Sequence, residues 1–192
     1  MTTYLACMGT RPEIIKMAPI YRTLKAGGDN VQVLHTGQHE DMAQALYQFF
    51  EMDPDYQIQL KRQQPTLSNL TAELLQGIDG VIHDVKPDAV LVQGDTASAF
   101  GGAMAAYYRD VPVAHIEAGL RTGQHDPFPE EKNREMIGRL AHWHFPPTPQ
   151  AADNLRREGI AAQQIFEVGN TVIDAALWVN AQISHSDAPL PV

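Results

Sequence analysis

The chain contains a single cysteine, Cys7, among 192 residues. No internal disulfide can form, and a reducing compartment is the expected setting. Free cysteine is among the most buried residue types, so Cys7 reads as a small strand residue. Long hydrophobic runs are missing as well. No stretch approaches the roughly 20 apolar residues of a membrane helix, and the N-terminus has no basic segment leading into an apolar one. These absences predict a cytoplasmic chain with no membrane partner, in which Asn69-Leu70-Thr71 matches a glycosylation acceptor only by chance. Positive charge is scarce too, at 14 Lys and Arg against 23 Asp and Glu, net −9. That balance argues against nucleic acid, which is bound through basic surfaces. Internal repeats and low-complexity tracts are absent.

What is present is the composition of a globular domain, 44% hydrophobic and 19% charged, long enough for a sizeable core. Short apolar runs at 4–8, 31–35, 89–92, 113–116, 142–145 and 165–168 read as strands covered on both faces. Helical patterns occupy 12–25, 42–50, 67–85, 98–108, 130–140, 149–158 and 171–179. Such βα alternation predicts an α/β fold, a Rossmann-like, doubly wound parallel sheet. The domain is expected to run over 1–183, with the polar, proline-containing 184–192 as a linker or frayed end. In a parallel sheet every strand-to-helix turn lies on one edge, and ligands bind in the crevice there. The turns are Gly9-Thr10-Arg11-Pro12-Glu13, Thr36-Gly37-Gln38-His39, Gln93-Gly94-Asp95-Thr96, Ile116-Glu117-Ala118-Gly119 and Pro146-Pro147-Thr148.

Their chemistry is anionic and cationic at once. Arg11 and Lys16 flank a helix start, a place that favours phosphate. The glycines fit neither the dinucleotide fingerprint nor a Walker loop. Asp95 and Glu117 each follow an apolar strand directly. Asp95 is either a helix cap or a site group, whereas Glu-Ala-Gly is a poor capping sequence. Glu130-Glu131 opens a later helix, where the dipole alone would favour acids. Three carboxylate stations on one edge are what proton abstraction and return require. His142 and His144 sit at strand spacing, but no third ligand has matching spacing, and no metal is expected.

Taken in order, these stretches resemble the non-hydrolysing UDP-N-acetylglucosamine 2-epimerase family. The residues that carry the resemblance are Gly9-Thr10-Arg11-Pro12-Glu13 with Lys16, Thr36-Gly37-Gln38-His39, Gly94-Asp95-Thr96, Glu117-Ala118-Gly119-Leu120-Arg121-Thr122-Gly123, Pro127-Phe128-Pro129-Glu130-Glu131 with Asn133-Arg134, and Gly169-Asn170-Thr171. The resemblance implies the N-terminal domain of a GT-B type, two-domain fold. It implies interconversion of UDP-N-acetylglucosamine and UDP-N-acetylmannosamine by elimination and re-addition of UDP, without a cofactor. Asp95, Glu117 and Glu130 would be the catalytic acids, with Glu131 left open as the alternative to Glu130. Arg11, Lys16, Glu131 and Arg134 would bind substrate, and Gln38 and His39 a second, activating UDP-sugar. Family members are roughly twice as long, and their second half carries most uridine contacts and a further catalytic histidine. The chain alone is therefore expected to bind UDP weakly without turnover, and the full-length protein to form a homodimer. Departures include Gln93 where many relatives have histidine, and the short Gln124-His125-Asp126 insert before Pro127. A non-catalytic UDP-sugar sensor and half of a GT-B glycosyltransferase stay open as alternatives.

Overall fold

The computed structural model describes residues 1–38 and 43–185. Six parallel strands form one sheet in the order β3-β2-β1-β4-β5-β6. They are β1 (Thr3–Met8), β2 (Asn30–His35), β3 (Tyr56–Gln57), β4 (Ala89–Gln93), β5 (Val113–Ile116) and β6 (Trp143–Phe145). The helices are α1 (Arg11–Ala26), α2 (Ala43–Phe49), α3 (Leu67–Val85), α4 (Ala97–Tyr108), α5 (Glu130–Leu140), α6 (Pro149–Arg157) and α7 (Thr171–His185). This is the expected doubly wound fold. The strand order reverses between β1 and β4, so the crevice opens where their C-terminal ends diverge.

The core lies in two layers, one on each face of the sheet. On one side α3 lays Leu74, Ile78 and Ile82, spaced one turn apart, against α4 and the strands. On the other, Ile14, Met17 and Ala18 of α1 pack with Tyr47, Phe50 and Met52. The buried face of α4 is built wholly of Ala, Gly and Ser, so the helix approaches the sheet closely. A Cβ on Gly102 would stand 2.9 Å from Val92 Cγ1 and 3.3 Å from Cys7 Cβ. Cys7 is fully buried in this layer, and burial pushes its thiol well above the usual range, which leaves it inert.

Polar residues start the helices where the sequence suggested turns. Thr66, Thr96 and Thr148 accept the backbone N–H of Asn69, Ala99 and Ala151 at 3.2, 3.0 and 3.2 Å. Two elements differ from expectation. Residues 165–168 do not form a strand but run beside β6, making one bridge between Ile165 and His144. Phe166 and Val168 N–H still donate to the His144 and Pro146 carbonyls at 2.8 and 3.2 Å, while the two side chains stay 44% and 58% exposed. On the opposite rim, the two-residue β3 carries too short a pattern for periodicity to register. His142 precedes β6 and is exposed while His144 is buried, so the two do not share an environment. α7 continues to His185, beyond the helical pattern read over 171–179, and residues 186–192 lie outside the described residues.

Candidate active site

Asp95 lies in the turn after β4, where Gly94 takes φ +71°. Three bonds fix that turn. Gly94 N–H donates to the Ile116 carbonyl at 2.9 Å. His115 Nε2 donates to the Gly94 carbonyl at 2.7 Å, and Asn133 Nδ2 to the Asp95 carbonyl at 2.9 Å. Thr96, not Asp95, caps α4, so the Asp95 carboxylate is released from capping and pairs with Arg134 Nη2 at 2.6 Å. Burial pushes the Asp95 carboxyl up, Arg134 opposes, and the charges of Glu130 and Glu117 push the same way as burial; the net shift is upward. Asp95 therefore sits within electrostatic reach of both other predicted carboxylates.

Glu117 follows β5 in the left-handed region, at φ +62°. For a residue with a Cβ this backbone costs about 1 kcal/mol and persists only where neighbours over-determine it. Here they do. Lys16 Nζ stands 2.7 Å from both carboxylate oxygens, Asn170 Nδ2 donates to Oε1 at 2.8 Å, and Gln93 Nε2 donates to Oε2. Gly94 keeps the adjacent space open, since a Cβ there would reach to 3.7 Å from Oε2.

The acidic pair at the start of α5 separates clearly. Glu131 is fully buried and accepts from the backbone N–H groups of Thr122 and Gly123, both at 2.9 Å, with Arg134 Nη1 3.4 Å away. Burial alone would raise its carboxyl, but these donors and Arg134 outweigh it and hold it below the usual range. Glu130 is half-buried on the side where its charge reaches Asp95. Arg134 thus joins Asp95 to Glu131, and Lys16 faces Glu117. Arg11 begins α1 and is exposed. Gln38 turns inward, its Oε1 accepting from Ser98 Oγ at 2.7 Å and Ser98 N–H at 3.2 Å. His39 lies outside the described residues.

Several residues at the crevice were given no site role from sequence. Glu13 is 1% exposed and accepts from Gly9 N–H, Thr10 Oγ1 and Thr96 Oγ1 at 2.9, 2.8 and 2.7 Å, tying the β1–α1 turn to the β4–α4 turn. Burial raises its carboxyl and those donors only partly offset that. In sequence it is one more first-turn acid. Gln93 had a signal, a polar residue ending an otherwise apolar strand. Asn170 and Asn133 entered only as members of the motifs that carry the family resemblance, with no role of their own. Among the described residues, no three His, Cys, Asp or Glu side chains stand where they could share a metal ion. No helix among the described residues is long and apolar enough to cross a membrane. The arrangement can hold a ligand between helix N-termini while carboxylates of unlike environment handle protons.

Comparison with known proteins gives a consistent picture. The family model for UDP-N-acetylglucosamine 2-epimerase matches residues 22–189. The UDP-N-acetylglucosamine 2-epimerase of Escherichia coli K12 is 44% identical over 185 residues, 95% of this chain and 49% of its own length. The crystal structure of the Neisseria meningitidis UDP-GlcNAc 2-epimerase bound to UDP-GlcNAc superposes with a TM-score of 0.92 at 38% identity, covering 95% of this chain and 50% of that one. The Methanocaldococcus jannaschii enzyme in complex with UDP-GlcNAc and UDP gives 0.88 at 37% identity, covering 97% and 51%. The chain thus spans about half the length of the relatives it matches.

Proposed function

The chain belongs to the UDP-N-acetylglucosamine 2-epimerase family, and from that premise we propose that it supplies the proton-handling half of an enzyme that inverts C2 of a UDP-N-acetylhexosamine, UDP-GlcNAc to UDP-ManNAc. The supporting observation is the gathering of Asp95, Glu117 and Glu130 at one strand edge, with Lys16 and Arg134 paired to two of them. The C2 hydrogen of the sugar is not acidified by a carbonyl. Its removal must therefore accompany departure of UDP, leaving a 2-acetamidoglucal; reversal from the other face delivers the epimer.

Each group has a task in this reading. A carboxylate takes the C2 proton as the C1–O bond to UDP breaks, and a protonated one returns a proton to the opposite face. Asp95, already shifted upward by burial and like charge, suits the proton-returning role. Lys16 and Arg11 offset the charge that collects on the departing diphosphate. Glu130 rather than Glu131 is the third working carboxylate, because Glu131 is sealed beneath the Thr122–Gly123 backbone. Arg134 orients Asp95. Gln38 belongs, with His39, to a second UDP-sugar site. A second half like that of the relatives supplies the uridine contacts, and the full-length protein is a cytoplasmic homodimer whose size gel filtration would read.

Incubating the full-length protein with UDP-GlcNAc in deuterated water tests the reaction. Deuterium is expected at C2 of both epimers. Hexosamine that comes back without label would refute it, and would leave a sensor or transferase as the reading. The 192-residue chain alone is expected to bind UDP weakly and not to turn over.

A further inference from the structure

Asn170 is placed where two helices and the Glu117 turn meet. Its Oδ1 accepts the Val172 N–H at 3.0 Å, which starts α7, and its Nδ2 donates to Glu117 Oε1 at 2.8 Å. One side chain thus belongs to a helix start and to the carboxylate at once. The same Oε1 receives Lys16 from α1, and α1 and α7 pack directly on each other. Arg22 of α1 lies over the Trp178 ring of α7, 3.2 Å from its centroid. The Glu117 carboxylate is therefore held from two helices that pack on each other.

Resting on the reaction proposed above, we propose that Asn170 is a positioning residue for Glu117. Lys16 alone would not fix the carboxylate, because an ammonium is a point charge with freely rotating donors. The carboxamide is planar, and its orientation is set by the bond it makes to α7. Together with Gln93 on the other oxygen, it defines the plane in which Glu117 meets the sugar. It also makes that plane depend on how α7 is seated, so a shift of α7 would reach the carboxylate within one hydrogen bond. The charged groups facing Glu117 are Lys16 of α1 and Asp95 of the β4–α4 turn; Gln93 and Asn170 are its neutral partners.

Two substitutions separate this role from helix capping. Serine and aspartate both start helices well, so Asn170→Ser and Asn170→Asp both keep an oxygen for Val172; the shorter serine hydroxyl does not span the distance to Glu117, and aspartate sets a second carboxylate against it. In the full-length protein, kcat for C2 exchange should fall about tenfold to a hundredfold in Asn170→Ser, as for loss of one bond to a charged group, with KM and Tm near wild type, and further in Asn170→Asp, where like charges meet. Unchanged kcat in Asn170→Ser, or a fall in kcat matched by a fall in Tm, overturns the proposal. A second readout needs no activity. In the 15N-labelled 192-residue chain, the Asn170 carboxamide resonances should move on Glu117→Gln, and their failure to move overturns the assignment. Absence of any exchange by the wild-type protein would instead reject the reaction, with the carboxamide shift still deciding whether the two side chains are joined.

Discussion

Gly9 stands where the β1, β2 and β4 turns touch. A Cβ there would lie 2.2 Å from both Ser98 Oγ and Thr36 Oγ1 and 3.0 Å from Gln38 Cβ. Those two hydroxyls bond each other at 2.6 Å, so neither can retreat without giving up a buried partner. Gly9→Ala is expected to lose about 1–3 kcal/mol, the usual range for overpacking, read as a lower urea midpoint. Glu13 nearby yields a prediction with a sign. Its folded pKa is raised, so the stability it lends is present below the unfolded value of about 4.3 and is lost as pH rises through the folded one. Glu13→Gln can keep the Gly9 and Thr10 donors and turn its NH2 toward Thr96, without the charge. The variant should gain on wild type as pH rises from about 4 toward neutrality, in urea titrations at each pH; a constant difference would refute a buried, upward-shifted carboxyl. Neither role was legible in the sequence. Gly9 and Glu13 read only as parts of a turn and of the family motif, because the partners that give them meaning, Thr36, Thr96 and Ser98, are far away along the chain.

At the scale of elements, the sheet's middle was legible and its rims were not. β1, β2, β4 and β5 are mostly buried, so each carries a largely apolar run, broken in β2 by Gln32 and in β5 by His115, that ends at a polar turn. The rim pieces are short, and there local pattern loses to context: 165–168 follows β6 with a single bridge, and β3 pairs through just two residues. The same limit governs the acidic pair on α5. Glu130 and Glu131 are equivalent in sequence, and only the path of the Thr122–Gly123 backbone decides which is sealed. The turn after β5 offers a direct test of how tightly such loops are held. Gly119 has φ +82°, and a Cβ would fall 2.2 Å from the Ala151 carbonyl of α6, a backbone atom that cannot rotate away. Strain and clash add, so Gly119→Ala should cost more than about 1 kcal/mol and displace the neighbouring Glu117 turn. Loss of the Asn170–Glu117 amide signature alongside a lowered melting temperature would register both.

For the whole molecule, the positions of buried charge decide how it responds to acid. His115 and His144 are register partners on β5 and β6, both fully buried, and burial pulls their pKa values down to about 3 and about 4. For His115 the hydrogen bond to the Gly94 carbonyl pushes the other way but does not win. An unfolded imidazole titrates near 6.5, so the unfolded chain takes up protons that the folded one refuses. The stability that follows is present above about pH 6.5 and drains away as pH falls through the folded values. Glu13 and Asp95 have the opposite sign and mask part of it, so the comparison must be made against a variant. His115→Gln keeps a donor for the Gly94 carbonyl and cannot be protonated. Between pH 7 and pH 4, the unfolding free energy of wild type minus that of His115→Gln should shrink by about 3 kcal/mol, following 1.36 kcal/mol per pKa unit. Because His115 braces the turn that carries Asp95, the C2 exchange rate of wild type should also fall faster than that of the variant on the acid side. A difference that stays flat with pH would mean that His115 titrates alike in the folded and unfolded protein, and the brace under the crevice would then need another explanation.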